Sequence, residues 1–247
     1  MITLALIGKG KWGSRYLNVV NNIPDVEIKY VVTRNYKELQ QYNDINGIII
    51  ATPDSTHTEI AKEFPNKYLL IEKPFATSLK DALEINNNKV MVGHIYLYNK
   101  GLMEKLKKVG KINRLDIKLC NIHAEENTTP LWYLAPHGVS LAVYFLGEPQ
   151  VIKAEKINEN LSITLKYEKS ECHIETGWNY SEKLRKIVAH GEYDSVDFDD
   201  TIIQSIAPLE NELRSFIAFI KGEKCVTGLE HAIKVTKVLD KIQEQLK

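Results

Sequence analysis

The stretch Gly8-Lys9-Gly10-Lys11-Trp12-Gly13 constrains this chain more than any other. It fits GxGxxG and follows an almost continuously apolar run, Ile2 to Ile7, of the kind a strand covered on both faces requires. After it Trp12, Tyr16, Val19 and Val20 recur at helical spacing, which packs one helix onto the sheet. In that strand–turn–helix setting Gly8 allows the tight turn and Gly10 lets the backbone approach a pyrophosphate. Gly13 lets helix and strand pack closely. Amides at the helix N-terminus then face the phosphates. The loop therefore predicts a dinucleotide site made by Gly8, Lys9, Gly10, Lys11, Trp12 and Gly13; an ordinary glycine turn is the plain alternative.

Two patterns of residues follow one another along the chain. Apolar runs at Val26–Val32, Ile48–Ala51, Tyr68–Ile71 and Lys89–Val92 alternate with helical segments, as βαβ units around a parallel sheet do. Short links between the later strands predict a trimmed version of that fold. Beyond Lys111 the pattern changes: Leu161, Ile163, Leu165 and Tyr167 alternate with polar residues, as do Cys172, Ile174, Thr176 and Trp178. Such alternation belongs to antiparallel strands with one covered face. Gly191 marks a turn between Arg185–His190 and Ser195–Phe198. The tail returns to helix, with Leu209, Leu213, Phe216, Ile217 and Ile220 on one stripe. Thr227 with Glu230 reads as a capping box for a last helix. The expected architecture is α/β: an N-terminal Rossmann parallel sheet in residues 1–110, and a C-terminal α+β domain with a predominantly antiparallel open sheet in residues 111–247.

Lys plus Arg and Asp plus Glu both count 32, so the net charge of zero offers no reason to expect nucleic acid or an anionic membrane as partner. No apolar run approaches the roughly 20 residues that span a bilayer, and no signal peptide is read at the N-terminus. Cys120, Cys172 and Cys225 are widely spaced and form no CxxC pair, which points to reduced thiols in the cytoplasm and to no metal site.

The residue that holds the adenosine ribose is expected about 20 positions after the glycine loop. There the chain reads Val32-Thr33-Arg34-Asn35, without a carboxylate for the 2′-hydroxyl. Arg34, beside Thr33, has the planar fork that pairs with a 2′-phosphate, which favours NADP over NAD. A solvated loop arginine explains it too.

Five stretches resemble the Gfo/Idh/MocA oxidoreductases, the family of glucose–fructose oxidoreductase and inositol dehydrogenase. In order they are Gly8–Gly13, Ala51-Thr52-Pro53-Asp54-Ser55-Thr56-His57, Glu72-Lys73-Pro74, Val92-Gly93-His94-Ile95-Tyr96-Leu97-Tyr98-Asn99 and Leu131-Trp132-Tyr133-Leu134-Ala135-Pro136-His137. Weaker echoes occur at Trp178 to Arg185, Phe198-Asp199-Asp200 and Glu212 to Gly222. The resemblance implies hydride transfer between a nicotinamide and a hydroxyl or ketone of a sugar or nucleotide-sugar. It implies that Lys73 positions nicotinamide and substrate, that His137 serves as acid–base catalyst, and that Thr52, Pro53, His57, Glu72 and Pro74 lie at the cofactor. His94, Tyr96, Tyr98, Asn99, Trp132 and Tyr133 are expected around the cleft, where flat aromatic faces suit a sugar; a place in the core explains them equally. The chemistry agrees: a carbinol needs a base for its proton as hydride leaves, and histidine titrates near neutrality. An ammonium stabilises charge developing on the reacting oxygen.

Departures accompany the resemblance. Tyr133 stands where relatives carry an acidic residue four positions before the histidine, and Gly138 occupies another frequently acidic position. The chain is also short for the family. A tyrosine can hydrogen-bond the substrate or take the acid role itself, so Tyr133 joins Lys73 and His137 as a catalytic candidate. Lys183 and Arg185 face either a nucleotide-sugar phosphate or solvent, and His123, Glu125 and Glu126 read as a solvated loop. The alternative to an enzyme is a catalytically impaired dinucleotide-binding sensor or partner subunit. The resemblance also implies a homodimer or homotetramer.

Overall fold

The computed structural model describes residues 1–200 and 207–247. Strand β1 (Ile2–Ile7) leads through the glycine loop into helix α1 (Lys11–Val19), then β2 (Val26–Val32), β3 (Gly47–Ile50), α2 (His57–Lys62), β4 (Tyr68–Glu72), α3 (Leu79–Glu84) and β5 (Val90–Gly93). All five strands pair in parallel, in the order β2-β1-β3-β4-β5. This is the Rossmann-like sheet the apolar runs predict. Strands β3, β4 and β5 are buried almost throughout because both faces are covered, whereas the edge strand β2 is only half-buried. The crossover helices α2 and α3 have six residues each, so the trimming expected from the short links is real.

The chain continues through α4 (Lys100–Lys108), β6 (Ile112–Cys120), α5 (Pro130–Tyr133), α6 (Ala135–Leu146), β7 (Val151–Ile157), β8 (Asn160–Lys166), β9 (Glu171–Gly177), β10 (Leu184–Gly191) and β11 (Ser195–Asp199). Strands β6 to β11 form one sheet in the order β11-β10-β6-β9-β8-β7, antiparallel except for the β6–β9 pair. Alternation in β8 and β9 does what period-two patterning requires: Leu161, Ile163, Leu165, Cys172, Ile174 and Thr176 are buried on one face. Helix α6 covers that face. The chain closes with α7 (Ala207–Ile220) and α8 (Leu229–Gln245).

The two compact units are not consecutive stretches of chain. One holds Met1–Tyr98 together with the described residues from α7 up to Ile233; the other begins at Asn99 and includes Lys234–Lys247. The linear division at 110/111 misses this return. Leu209, Leu213, Phe216 and Ile217 of α7 join Leu4, Leu6, Tyr16, Ile49 and Leu70 in one buried cluster of the first unit. The apolar stripe on α7 has no neighbour in the sequence to cover it, and only the folded sheet shows which surface does. Thr227, read as a helix cap, donates its hydroxyl to the Val92 carbonyl at 2.7 Å, and Met91 bridges to Gly228.

Candidate active site

The register of the parallel sheet brings the loop motifs to one edge. Ile7 pairs with Val32 and with Ile50, Ile50 with Ile71, and Glu72 with Gly93. The residues that follow each strand, namely Gly8, Thr33 and Arg34, Ala51 and Thr52, Lys73 and His94, therefore stand at the carboxyl ends of adjacent parallel strands. Open α/β sheets present their ligand crevices at such edges, where the strand order reverses. Here the reversal falls between β1 and β3, flanked by Gly8 and Ala51.

The glycine loop is shaped by close approach. Gly8 has φ +97°, and a Cβ there would lie 2.5 Å from the Ala51 carbonyl oxygen. A Cβ on Gly13 would run into the Gly8 carbonyl oxygen. Gly10 differs: a Cβ there would meet nothing within 4 Å, so no protein packing demands the glycine. Gly10 is the N-cap of α1, with no side-chain cap and no acidic residue in the first turn. A helix start of this kind, open at its surface and free of competing carboxylates, fits a pyrophosphate. Lys9 and Lys11 are exposed beside it, Trp12 is half-buried under the Arg15 guanidinium at 4.5 Å, and Thr33 and Arg34 are exposed.

The ATPDSTH and EKP stretches are tied together through His57. Its Nδ1 lies 2.8 Å from the Pro74 carbonyl oxygen and its Nε2 3.0 Å from that of Thr52. Burial holds its pKa below the ordinary histidine value, against the pull of the two carbonyls. Both ring nitrogens of His57 thus face backbone, and the ring fixes the Thr52-Pro53 loop to the Lys73-Pro74 turn. Glu72 and Lys73 are themselves buried.

Beneath this edge lies a polar cluster that the motifs alone do not announce. Tyr16 Oη lies 2.8 Å from Glu72 Oε1 and 2.8 Å from Glu212 Oε1, and all three side chains are buried. Burial first, then the carboxylates, raises the Tyr16 phenol well above its usual pKa. Burial also raises Glu72, opposed by the Lys73 ammonium, the phenol and Arg15. Glu212 is raised well above the carboxylate range by burial and by Glu72. Sequence reasoning missed Tyr16 as more than packing and named Glu212 only as the start of a weak echo. The signal was present: Glu212 lies on the apolar stripe Leu209, Leu213, Phe216, three residues after Leu209 and four before Phe216.

His94, next to Gly93, is fully buried, and among the described residues neither ring nitrogen has a hydrogen-bond partner. Its ring meets that of His231 edge-on at 5.5 Å. Burial, then His231 and Lys73, hold its pKa well below the ordinary value. Tyr96 is half-buried. Tyr98 is in the core, its phenol 2.7 Å from Thr227 Oγ1 and its carbonyl accepting from Asn211.

The remaining candidates belong to the second unit. Asn99 caps α4 by accepting from the Leu102 amide at 3.1 Å. Trp132 Nε1 donates to Gln243 at 2.9 Å. Tyr133 donates its hydroxyl to Glu125 at 2.9 Å, so the loop carrying His123, Glu125 and Glu126 is not uniformly solvated: Glu125 is half-buried, His123 and Glu126 exposed. His137 is half-buried in the first turn of α6. Gly138 has a packing reason, since a Cβ would lie 3.0 Å from Ile174 Cγ2 where α6 meets the sheet. Arg185 is committed to the end of β6, donating to the carbonyl of Cys120 and to Asn121.

Residues 2–95 match the family described as "Oxidoreductase family, NAD-binding Rossmann fold", the Gfo/Idh/MocA proteins. Over that stretch the chain has the Rossmann fold of the Gfo/Idh/MocA proteins. Among curated relatives, 4-carboxy-2-hydroxymuconate-6-semialdehyde dehydrogenase of Sphingobium sp. is 23% identical, the alignment covering 98% of each chain. Among solved structures, a myo-inositol dehydrogenase from Corynebacterium glutamicum superposes with a TM-score of 0.87 at 16% identity, covering 100% of this chain and 96% of that one. UDP-N-acetylglucosamine 3-dehydrogenase GnnA from Acidithiobacillus ferrooxidans gives 0.83 at 15% identity, covering 99% and 97%. At these identities the superpositions establish the fold, and the match over residues 2–95 is to a family of oxidoreductases. Among the described residues no helix is long and apolar enough to cross a membrane, and no group of three or more potential ligands is placed to hold a metal.

Proposed function

We propose that this protein transfers hydride between a nicotinamide dinucleotide and a hydroxyl or ketone of a sugar or nucleotide-sugar. The observation that carries the reading is the shared edge: an open helix start at Gly10, the His57-tied loops, buried Lys73 and buried His94 all follow carboxyl ends of one parallel sheet. Gly8 to Gly13 would hold the pyrophosphate, and Thr52, Pro53, Glu72 and Pro74 would frame the nicotinamide half. A nicotinamide bound there supplies or accepts the hydride. Lys73 holds its ammonium at the reacting oxygen and stabilises charge developing on it. His137 exchanges the hydroxyl proton, with Tyr133 as the second proton donor of that unit. His94 and Tyr96 contact substrate. Tyr98, Asn99 and Trp132, engaged in internal hydrogen bonds, contribute by shaping the walls.

Exposed Arg34, with no carboxylate at Thr33, supports NADP as the preferred dinucleotide over NAD. The three free cysteines suit the cytoplasm, and a homodimer or homotetramer follows from the family resemblance. The relative from Sphingobium is named for a semialdehyde, so carbonyl substrates other than sugars belong in the test. NADPH and NADH titrations on purified protein, followed by turnover on sugars, nucleotide-sugars and semialdehydes, decide the matter. Dinucleotide binding with turnover on a sugar class is the expected result. Tight binding without turnover on any of them would identify a sensor, and no binding of either dinucleotide would end the reading.

A further inference from the structure

The buried contact among Tyr16, Glu72 and Glu212 contains more acceptors than its phenol can satisfy. A phenol carries one proton, yet its oxygen lies within 2.8 Å of an oxygen of each carboxyl group. One contact is the Tyr16 hydroxyl donating to a carboxylate. The other is favourable only if the second carboxyl is protonated and donates to the phenol oxygen. Two ionised carboxylates about one phenol in a dry interior would repel each other, with nothing holding the second in place.

The surroundings decide which glutamate keeps the proton. Glu72 has Lys73 next to it, from which it receives both the ammonium's field and a backbone amide, and the Arg15 charge acts on it in the same sense. Glu212, on α7, faces Glu72, Tyr16 and Gly93, whose Cα would place a Cβ 3.4 Å from Glu212 Oε1; the nearby Tyr98 phenol is a further acidic group. Among the described residues no cation opposes its rise and its Oε2 is buried with no partner, as suits the carbonyl oxygen of a neutral acid better than half of a carboxylate.

We infer that Glu212 is held as the neutral acid and, through Tyr16, keeps Glu72 ionised beneath Lys73, making Glu212 and Tyr16 positioning residues for the lysine. Neutral Glu212 donates to Tyr16 Oη, Tyr16 donates to Glu72, and Glu72 gives the buried ammonium its counter-charge. The chain of donors runs one way. It gives α7 a purpose beyond covering the sheet, and its bearing on turnover rests on the role proposed for Lys73.

Infrared spectroscopy of the protein without added dinucleotide tests the assignment independently of cofactor or substrate. At neutral pH the spectrum is expected to contain a protonated-carboxyl C=O band that moves on ¹³C-glutamate labelling and disappears in Glu212→Gln, whose amide preserves the donation to Tyr16. In Tyr16→Phe the band should persist at a higher frequency, because the acid loses its acceptor. Absence of a glutamate-derived band at neutral pH overturns the inference, and so does a band unchanged in Glu212→Gln. Should Glu212→Gln fail to fold, Glu72→Gln decides instead: a band that persists there belongs to Glu212, and one that disappears overturns the inference. Failure of dinucleotide binding would refute the proposed oxidoreductase site while leaving this result standing.

Discussion

The first unit and the second solve the problem of polar side chains in opposite ways. Among the described residues, every buried carboxyl, ammonium or imidazole (His57, Glu72, Lys73, His94 and Glu212) belongs to the first unit; the buried polar residues of the second are Ser140, Thr176 and Thr236. The second unit keeps its charges on the wet face of the sheet, where Arg114 pairs with Asp116 and Glu171, and Lys118 with Glu175. Exposed pairs of that kind contribute little, because water screens them and ordering long side chains costs entropy. Buried ionisable groups are costly unless paired, so a fold that concentrates them at one sheet edge sacrifices stability for chemistry. The contrast predicts where substitutions will hurt function and where they will hurt only folding.

The largest expected effect is on turnover. Lys73→Ala should lower it by roughly 10²–10³-fold, as loss of one donor to a developing oxyanion does, with dinucleotide affinity little changed. Steady-state kinetics beside a fluorescence titration measures both. His137→Ala should cost roughly 10²-fold, the lower end for a general acid–base group. An unaffected His137→Ala would reduce the second unit to a platform and leave the chemistry to the first.

Glycine substitutions probe packing on both sides of the comparison. Gly13→Ala forces a methyl into the Gly8 carbonyl, a backbone atom that cannot swing aside, and should cost about 3 kcal/mol and the dinucleotide site with it. Gly138→Ala meets the Cγ2 methyl of Ile174 at 3.0 Å, a side-chain contact relieved by a shift of a few tenths of an ångström, and should cost about 1 kcal/mol. Denaturant unfolding of the two variants checks the order; equal losses would mean that α6 sits as rigidly as the glycine loop.

The buried groups should also set the pH dependence of stability, from both sides. Glu212 is raised in the folded state, so above the ordinary glutamate range of about 4.3 the unfolded chain releases a proton that the folded chain keeps, and stability declines with rising pH. His57 and His94 are lowered, so below about 6.5 the unfolded chain takes up protons that the folded chain refuses, and stability declines with falling pH. Melting temperatures across pH should therefore fall less on the alkaline side in Glu212→Gln and less on the acid side in His94→Phe. Parallel curves for wild type and both variants would remove these groups from the account. The smallest effect concerns the exposed edge: Arg34→Ala should shift the NADPH-to-NADH affinity ratio by about tenfold, or about 1.4 kcal/mol. An unchanged ratio would leave Arg34 as a solvated loop residue.

What the sequence determined by itself is whatever depends on neighbours along the chain. A run such as Ile2 to Ile7, a GxGxxG with its strand before and helix after, and the alternation in residues 161–167 and 172–178 each specify a local conformation through side-chain period and backbone freedom, and the structure has those elements. The edge motifs were legible for the same reason, since each follows its strand directly. Tertiary structure alone decided which surface α7 covers, that Tyr98, Asn99 and Trp132 engage partners within the protein, that Glu125 meets Tyr133, and that Glu212 meets Tyr16 across 196 positions of chain. A buried carboxyl acquires its protonation state from desolvation and from charges brought near it by folding, and neither quantity exists until distant segments pack.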